Sequence, residues 1–441
     1  MKKHWFWNKT EHLKIALISG PMLLSNITQP LLGMVDTAIV GHMDAVDFLA
    51  GVAIGAMLIT QLYWLSGALR MSTTGLSAQA KGQGSVENAT KTLLQSLLLA
   101  LVIATLLFLG RNWLLQVAIY FTQPAANVAS IAREYFYIRV WGAPAALSSL
   151  VLVGWLLGQQ YARFVMLVQI GGNTLNVLLN FLLVYGLDMG VEGVALATVI
   201  AEYTMCLAMF HHSLKKIDLS YLIPDWFKMS HLSSLFSVNS AMFIRNLALQ
   251  LCMAFIVVQG ARWGEMTIAI NSLLHQFFVL CALGLDAIAY SAEALTGESK
   301  GARKPAQIIS RTYLGLSWSV LLSMLYCAVY MLFGGMIIDV MTDIPQLQQQ
   351  AREFLPYIWV LPLVGHWCFL MDGVYVGLGR AKAMRDSMLV SAIVGFFPVF
   401  YLLKFLGNHA LWIALLSFLT LRGLTLMIHF NYLQKKAVLL D

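Results

Sequence analysis

Residues 93–110 read LLQSLLLALVIATLLFLG and contain no charged side chain. As an α-helix this stretch would be about 27 Å long, close to the thickness of the hydrocarbon core of a bilayer. A segment in lipid must satisfy its own backbone hydrogen bonds, which a helix does and an isolated strand does not. The stretch therefore predicts a membrane-spanning helix.

Similar apolar stretches recur along all 441 residues, so the fold class is predicted to be an all-α integral membrane protein with twelve transmembrane helices. Hydrophobic residues make up 59% of the chain and charged residues 11%, whereas soluble domains carry about 25% charged residues. That composition excludes a large soluble bundle. The predicted spans are Leu13–Val40, Phe48–Leu69, Leu93–Leu115, Tyr135–Leu157, Phe164–Gly186, Val191–Phe210, Leu235–Val258, Ile268–Ala292, Ile308–Phe333, Phe354–Gly377, Ser387–Leu406 and Ala410–Tyr432.

The basic residues predict the orientation of the spans. The chain has a formal net charge of +7, and most of its Lys and Arg residues fall at the two termini and in alternate loops. The loops on the other side are short or acidic, as the positive-inside rule describes. We therefore expect a multi-pass protein of the cell (inner) membrane with both termini in the cytoplasm. The positive charge is explained by this distribution, so no nucleic-acid partner is expected.

An internal repeat divides the chain into related halves. The tetrapeptide at 132–135 (AREY) resembles that at 351–354 (AREF), and the same offset of 219 pairs Gly154 with Gly373 and Gly158 with Gly377. The segments 77–80 (SAQA) and 291–294 (SAEA) match at an offset of 214, which predicts a five-residue length change. We expect an N-terminal lobe at 1–214, a cytoplasmic interlobe linker at 215–230 and a C-terminal lobe at 231–441, each lobe with six helices.

Six spans separate equivalent positions, so the halves share one orientation as parallel repeats. Parallel halves around a central cleft suit transport by alternating access. A duplicated structural scaffold or a channel is the alternative interpretation. The chain has no Walker loop, HExxH or GxSxG motif, so an ion gradient rather than ATP is the expected energy source, and neither an enzyme nor a metal site is predicted.

Asp36 is the strongest candidate for a functional residue. A carboxyl group within a span is costly, and without a counter-charge its protonated form is favoured, so it could carry a proton. It lies late in span 1, after Pro21 and Pro30, which predict a bendable helix. In span 5, Asn173, Asn176 and Asn180 form one polar stripe that lines a cavity or binds a neighbouring helix. Thr198 in span 6 and Gln29 in span 1 add similar groups.

The second half carries different charges, and Asp36 has no acidic counterpart there because the offset of 219 leads to Phe255. Arg245, Asp286 and Asp372 form either a structural ion pair or a possible substrate or second-lobe ion site. No partner is evident for two other charged residues within spans, Glu202 and Arg422.

Together these features resemble the multidrug and toxic compound extrusion (MATE) family, in particular its DinF-like branch. The resemblance covers the whole chain and rests on several motifs. They are Gly20-Pro21, Val35–Gly41, Asn176–Asn180, Gly193–Thr198, Ser291–Leu295 and Asp372–Gly377.

The resemblance implies a V-shaped, two-lobed exporter that exchanges H⁺, or less favourably Na⁺, for amphipathic and often cationic drugs or toxic metabolites. The family's cation site corresponds to Asp36, Asn176, Asn180 and Thr198, with a span-4 tyrosine that we assign to Tyr137, and Pro21 is the expected bend. Many members have an aspartate where this chain has Asn180, which favours a proton over Na⁺. A monomer without an organic cofactor or metal is expected. A lipid-linked oligosaccharide flippase and a non-transport membrane enzyme are the alternatives.

Overall fold

The computed structural model describes residues 8–41 and 46–440, and every regular element within these ranges is a helix. Side chains are not described at several positions, Gln29 and Asp36 among them. Eleven helices in the described part are long and apolar enough to cross a membrane. The first helix has 33 residues and matches the remaining predicted span. The prediction of a twelve-helix, all-α membrane protein is thereby confirmed.

We number the long helical segments in chain order. They are α1 Lys9–Gly41, α2 Asp47–Gln83, α3 Val86–Leu109, α4 Ala126–Gly158, α5 Ala162–Gly186, α6 Gly190–Leu214, α7 Leu235–Arg262, α8 Glu265–Gly301, α9 Pro305–Met341, α10 Leu355–Gly377, α11 Ala381–Leu406 and α12 Asn408–Lys435. Two shorter helices, Arg111–Thr122 and Pro345–Glu353, precede α4 and α10.

Some of these helices change geometry along their length. A 3₁₀ turn at Val140–Gly142 interrupts α4. The last part of α5 is a π-helix, Phe181–Gly186, which begins directly after Asn180. A second π-helix, Ser391–Phe396, lies within α11. Such π segments are rare and are frequently found at functional sites.

The chain forms two compact units. Among the described residues, one unit comprises those from 24 to 236, and the other comprises 8–23 together with 237–440. The first helix therefore contributes its N-terminal part, which includes Pro21, to the second unit. Within that unit Arg311 of α9 donates from Nε to Glu11 Oε2 at 2.8 Å.

The internal repeat appears in the hydrogen bonds at a constant offset of 219. Lys81 Nζ donates to the carbonyl of Gln159, and Lys300 Nζ donates to the carbonyl of Leu378. In both units two close-packed glycines of α4 and α10 approach the equivalent backbone of α2 and α8, as Gly154 does at Arg70 and Gly373 at Ala289.

The predicted offset of 214 at the ends of α2 and α8 is therefore wrong, and no length change separates these parts. The match between 77–80 and 291–294 arose from composition, because both helices need small side chains where a glycine-rich helix packs against them closely.

Candidate functional site

The polar stripe of α5 forms a chain of hydrogen bonds to α6. Asn180 Nδ2 donates to Asn176 Oδ1 at 2.9 Å, and Asn176 Nδ2 donates to Thr198 Oγ1 at 3.0 Å. The Thr198 hydroxyl donates in turn to the carbonyl of Val194 at 3.1 Å. Both asparagines are buried, with at most 1% of their surface exposed. Three of the predicted site residues thus lie together, and the side chains of all three are neutral.

The same face of α5 contacts α1 one and two turns earlier. Ser25 donates its hydroxyl to Gln169 Oε1, and Asn173 Nδ2 donates to Thr28 Oγ1 at 3.0 Å. The polar residues of α5 therefore follow one another at steps of four, three and four, which keeps them on a single helix face. Residue numbers rise together along the two helices, so α1 and α5 run parallel at this contact.

Farther along α1, the packing of two apolar residues shows which helices lie near backbone position 36. Ile39 is buried and Val35 is partly buried in one cluster with Val184 of α5 and Val194 of α6. Val184 lies one turn beyond Asn180, and Val194 lies one turn before Thr198. The side chains of Asp36 and Gln29 lie outside the described residues.

Tyr137 is not brought to this group. Its hydroxyl donates to Asn112 Oδ1 at 2.9 Å, on a different helix. The tyrosine of α4 that packs with Val35 and Ile39 is Tyr135, which is 6% exposed. Residues two apart in a helix differ by about 200° in direction, so Tyr135 and Tyr137 lie on opposite faces.

An ion pair that the sequence interpretation missed lies on the next turn of α4. Arg139 donates from both Nη atoms to the two carboxylate oxygens of Glu202 in α6, at 2.9 Å each. A Cβ atom added to Gly142 would collide with Glu202 Oε2, so this glycine makes room for the pair. Arg139 falls within predicted span 4, and an arginine inside a span was the signal that could have revealed it.

Buried charged residues of the second unit also form ion pairs. They include Arg422, for which the sequence indicated no partner. Asp372 of α10 directs Oδ2 at two arginines, Arg245 of α7 and Arg422 of α12. All three side chains are buried. Arg245 Nη1 also donates to Asn246 Oδ1 at 2.9 Å. Two of the three predicted second-lobe residues, Arg245 and Asp372, are thus brought together.

The described residues hold no group of three or more His, Cys, Asp or Glu side chains that could bind a metal. Pro21 lies inside the continuous helix α1 and is half-buried.

Comparison with known proteins identifies the family. The MatE family model matches this chain twice, at residues 21–182 and 241–402. The chain belongs to the MatE family. One match falls in each half, in agreement with the repeat seen in the hydrogen bonds. Members of this family are transporters, so the predicted family and the prediction that the chain is not an enzyme are both confirmed.

Individual relatives support the DinF-like assignment. DNA damage-inducible protein F of Escherichia coli (strain K12) is 43% identical over 409 residues, which cover 92% of this chain and 89% of that protein. A probable multidrug resistance protein NorM of Bacillus licheniformis is 21% identical and covers 95% of both chains. A solved outward-facing multidrug resistance MATE family transporter has a TM-score of 0.87 to this chain, with 19% identity and 96% coverage of each chain.

Proposed function

We propose that this transporter exports amphipathic, often cationic compounds by alternating access, in exchange for protons that bind at Asp36. The observation that carries the proposal is the buried, neutral hydrogen-bond chain from Asn180 through Asn176 to Thr198. Its amides and hydroxyl can donate to a carboxylate and accept from a carboxylic acid, so they serve both protonation states.

The register of α1 supports this role for Asp36. Thr28 bonds to Asn173, and continuing the parallel pair for eight more residues, about 12 Å, brings backbone position 36 to the level of Asn180. The packing of Val35 and Ile39 beside Val184 and Val194 agrees with that register.

A proton is favoured over Na⁺ as the coupling ion because of the ligands available. Hard cations prefer several oxygen ligands that include carboxylates. Position 180 holds an amide in this chain, and Glu202, an acid of the same unit, is already bound bidentately by Arg139. Asp36 would therefore be the acid that exchanges an ion.

The working cycle follows from these contacts. Asp36 takes a proton from outside, and its hydrogen bonds to the α5 and α6 groups rearrange. The α1 helix then changes its bend at Pro21, and substrate leaves outward. The protein next faces inward, where Asp36 releases its proton and a new substrate binds. Because exchange of one proton for one monovalent cation moves no net charge, the pH difference drives it. Each pH unit supplies about 1.4 kcal/mol per proton, enough for about tenfold accumulation of the substrate.

The charged cluster of the second unit is proposed to stabilise structure rather than to bind a second coupling ion. Asp372 is already bound by two buried arginines, Arg245 and Arg422. Separating Asp372 from these arginines during transport would leave buried charge without a partner. That cost disfavours Asp372 as a site that binds and releases a coupling ion.

The substrates are proposed to be small drugs or toxic metabolites, because the 22 methionines suit adaptable apolar pockets and a relative is named a multidrug resistance protein. The transporter is proposed to be a monomer of the inner membrane. Both termini are proposed to lie in the cytoplasm, in keeping with the loop charges.

Everted membrane vesicles provide the test. We would follow proton release on addition of an amphipathic cationic dye against which expression protects cells. The intact protein should exchange dye for protons, and Asp36→Asn should not. Asp188→Asn is the matched control, since Asp188 is an exposed acid of the same unit whose left-handed backbone suits asparagine. Full exchange by Asp36→Asn would refute the scheme.

A further inference from the structure

The second unit contains a cavity of about 580 Å³ where α11 begins. Its lining includes Arg380, Lys382, Ala383, Ser387, Thr425 and His429. These residues belong to the α10–α11 connection, to the first turns of α11 and to α12. Its lining does not include Asp372, Arg245 or Arg422, and the cavity plays no part in the proposed cycle.

The chemistry of the lining favours an anion. Arg380 and Lys382 supply two cationic side chains, and among the described residues no carboxylate pairs with Lys382. The first amides of α11 lie at the same place without a side-chain cap, and the start of a helix carries partial positive charge. Asp386 also lines the cavity, but its carboxylate is bound by Arg385 at 2.7 Å.

In the first unit, side chains fill the space that is equivalent to this cavity. The turn that precedes α11 recurs before α5, since Gly379 and Gln160 both have positive φ values of 67° and 65°. Tyr161 there donates its amide to Leu156, as Arg380 donates to Tyr375. The position of Ala383 is taken by Phe164.

Aromatic stacking closes that equivalent place. The Phe164 ring stacks on His212 with 4.0 Å between centroids, and Tyr161, equivalent to Arg380, meets the same histidine edge-on at 5.3 Å. The repeat therefore folds with this space filled, so the open cavity of the second unit is a property of its sequence and not a requirement of the fold.

We propose that the cavity binds the phosphate group of an anionic phospholipid from the cytoplasmic leaflet. Basic pockets between helices on that side suit anionic headgroups. Val390 also lines the cavity, and the apolar residues that follow it on α11, Ile393 and Val394, are 65% and 57% exposed, which provides a surface for acyl chains. The inference rests on the orientation proposed above but not on the role of Asp36.

Native mass spectrometry of the purified full chain tests this site. The protein, delipidated in a neutral detergent, would be titrated with phosphatidylglycerol, phosphatidylcholine or inorganic phosphate. We expect preferential binding of phosphatidylglycerol, weakened about fivefold by Lys382→Gln because one surface charge is removed. Ala383→Phe should abolish the preference by filling the cavity as Phe164 does. Arg163→Gln, at the position equivalent to Lys382, is the control and should bind as the intact protein does.

Three results of this titration would contradict the proposed lipid site. Equal binding of both lipids, or an unchanged preference in Lys382→Gln, would overturn the proposal even if Ala383→Phe folded poorly. Inorganic phosphate that binds alone as tightly as the lipid would show a soluble-anion site and refute the lipid assignment. Because the assay involves no transport, its result is independent of the vesicle experiment on Asp36.

Discussion

The polar chain of α5 and α6 loses both of its asparagines at the equivalent positions of the second unit, where only a hydroxyl residue remains. Asn176, Asn180 and Thr198 are bonded to one another in the first unit. The corresponding residues of the second unit, at the offset of 219, are Gly395, Val399 and Ser417. Position 36 corresponds to Phe255, whose ring packs edge-on against Phe396, Phe397 and Phe400 with centroids 5.0–5.9 Å apart. One scaffold thus supports a polar site in one unit and an aromatic core in the other.

The difference supports the proposal that ion exchange takes place in the first unit. The acids described in buried clusters, Glu202 and Asp372, are bound by arginines. Separating a buried carboxylate from its arginine leaves an uncompensated charge and costs about 3–5 kcal/mol, so such a pair is suited to a structural role. The groups described around position 36 are instead neutral, so changing the charges in either unit tests whether this difference matters for transport.

The largest expected effect is on stability in the second unit. Asp372→Asn removes the carboxylate that Arg245 and Arg422 share and should lower the free energy of unfolding by about 3–5 kcal/mol. Thermal unfolding in detergent measures this loss, with the exposed Asp386→Asn as control. A loss below about 1 kcal/mol, the size of an exposed pair, would contradict the structural role of the cluster.

A smaller but more specific effect is expected at position 180. Asn180→Asp adds a second acid to the proposed coupling site and should make transport respond to Na⁺, because a carboxylate pair provides a better cation site than an acid and an amide. Dye efflux would be measured with and without Na⁺ at constant proton gradient. Gln123→Glu adds an acid to the same unit at an exposed position outside the spans and serves as control. An Asn180→Asp variant indifferent to Na⁺ would count against the assignment.

The smallest effect separates two tyrosines of α4. Tyr135→Ala should slow transport, because it removes the ring that packs with Val35 and Ile39 beside the site. Tyr137→Ala should change transport less, because among the contacts described the Tyr137 hydroxyl bonds to the outlying Asn112. Initial rates of dye efflux in matched vesicles measure both, and a greater loss in Tyr137→Ala would favour Tyr137 as the tyrosine of the site.

These tyrosines illustrate what the sequence could predict. Hydropathy and loop charge suffice for the spans because lipid imposes length and helical hydrogen bonding. The stripe at 173, 176 and 180 was predictable from helical spacing. The face of α4 that meets α1 was not, because it depends on how the helices rotate against one another.

The ion pairs show the same limit. Arg139 and Glu202 lie on different helices far apart in the sequence, and so do Asp372 and Arg422. Their presence inside spans indicated that partners were needed, but helix packing decides which ones. The 214 offset failed for a related reason, because small residues recur wherever helices pack closely.

Proton release on substrate binding to the purified protein tests the central claim most directly. In weakly buffered detergent solution, saturating cationic dye should displace protons from the intact protein and from Asp286→Asn, whose changed acid lies in the second unit. It should displace none from Asp36→Asn, provided that this variant still binds dye. Undiminished proton release by Asp36→Asn, or its loss in Asp286→Asn alone, would contradict the account.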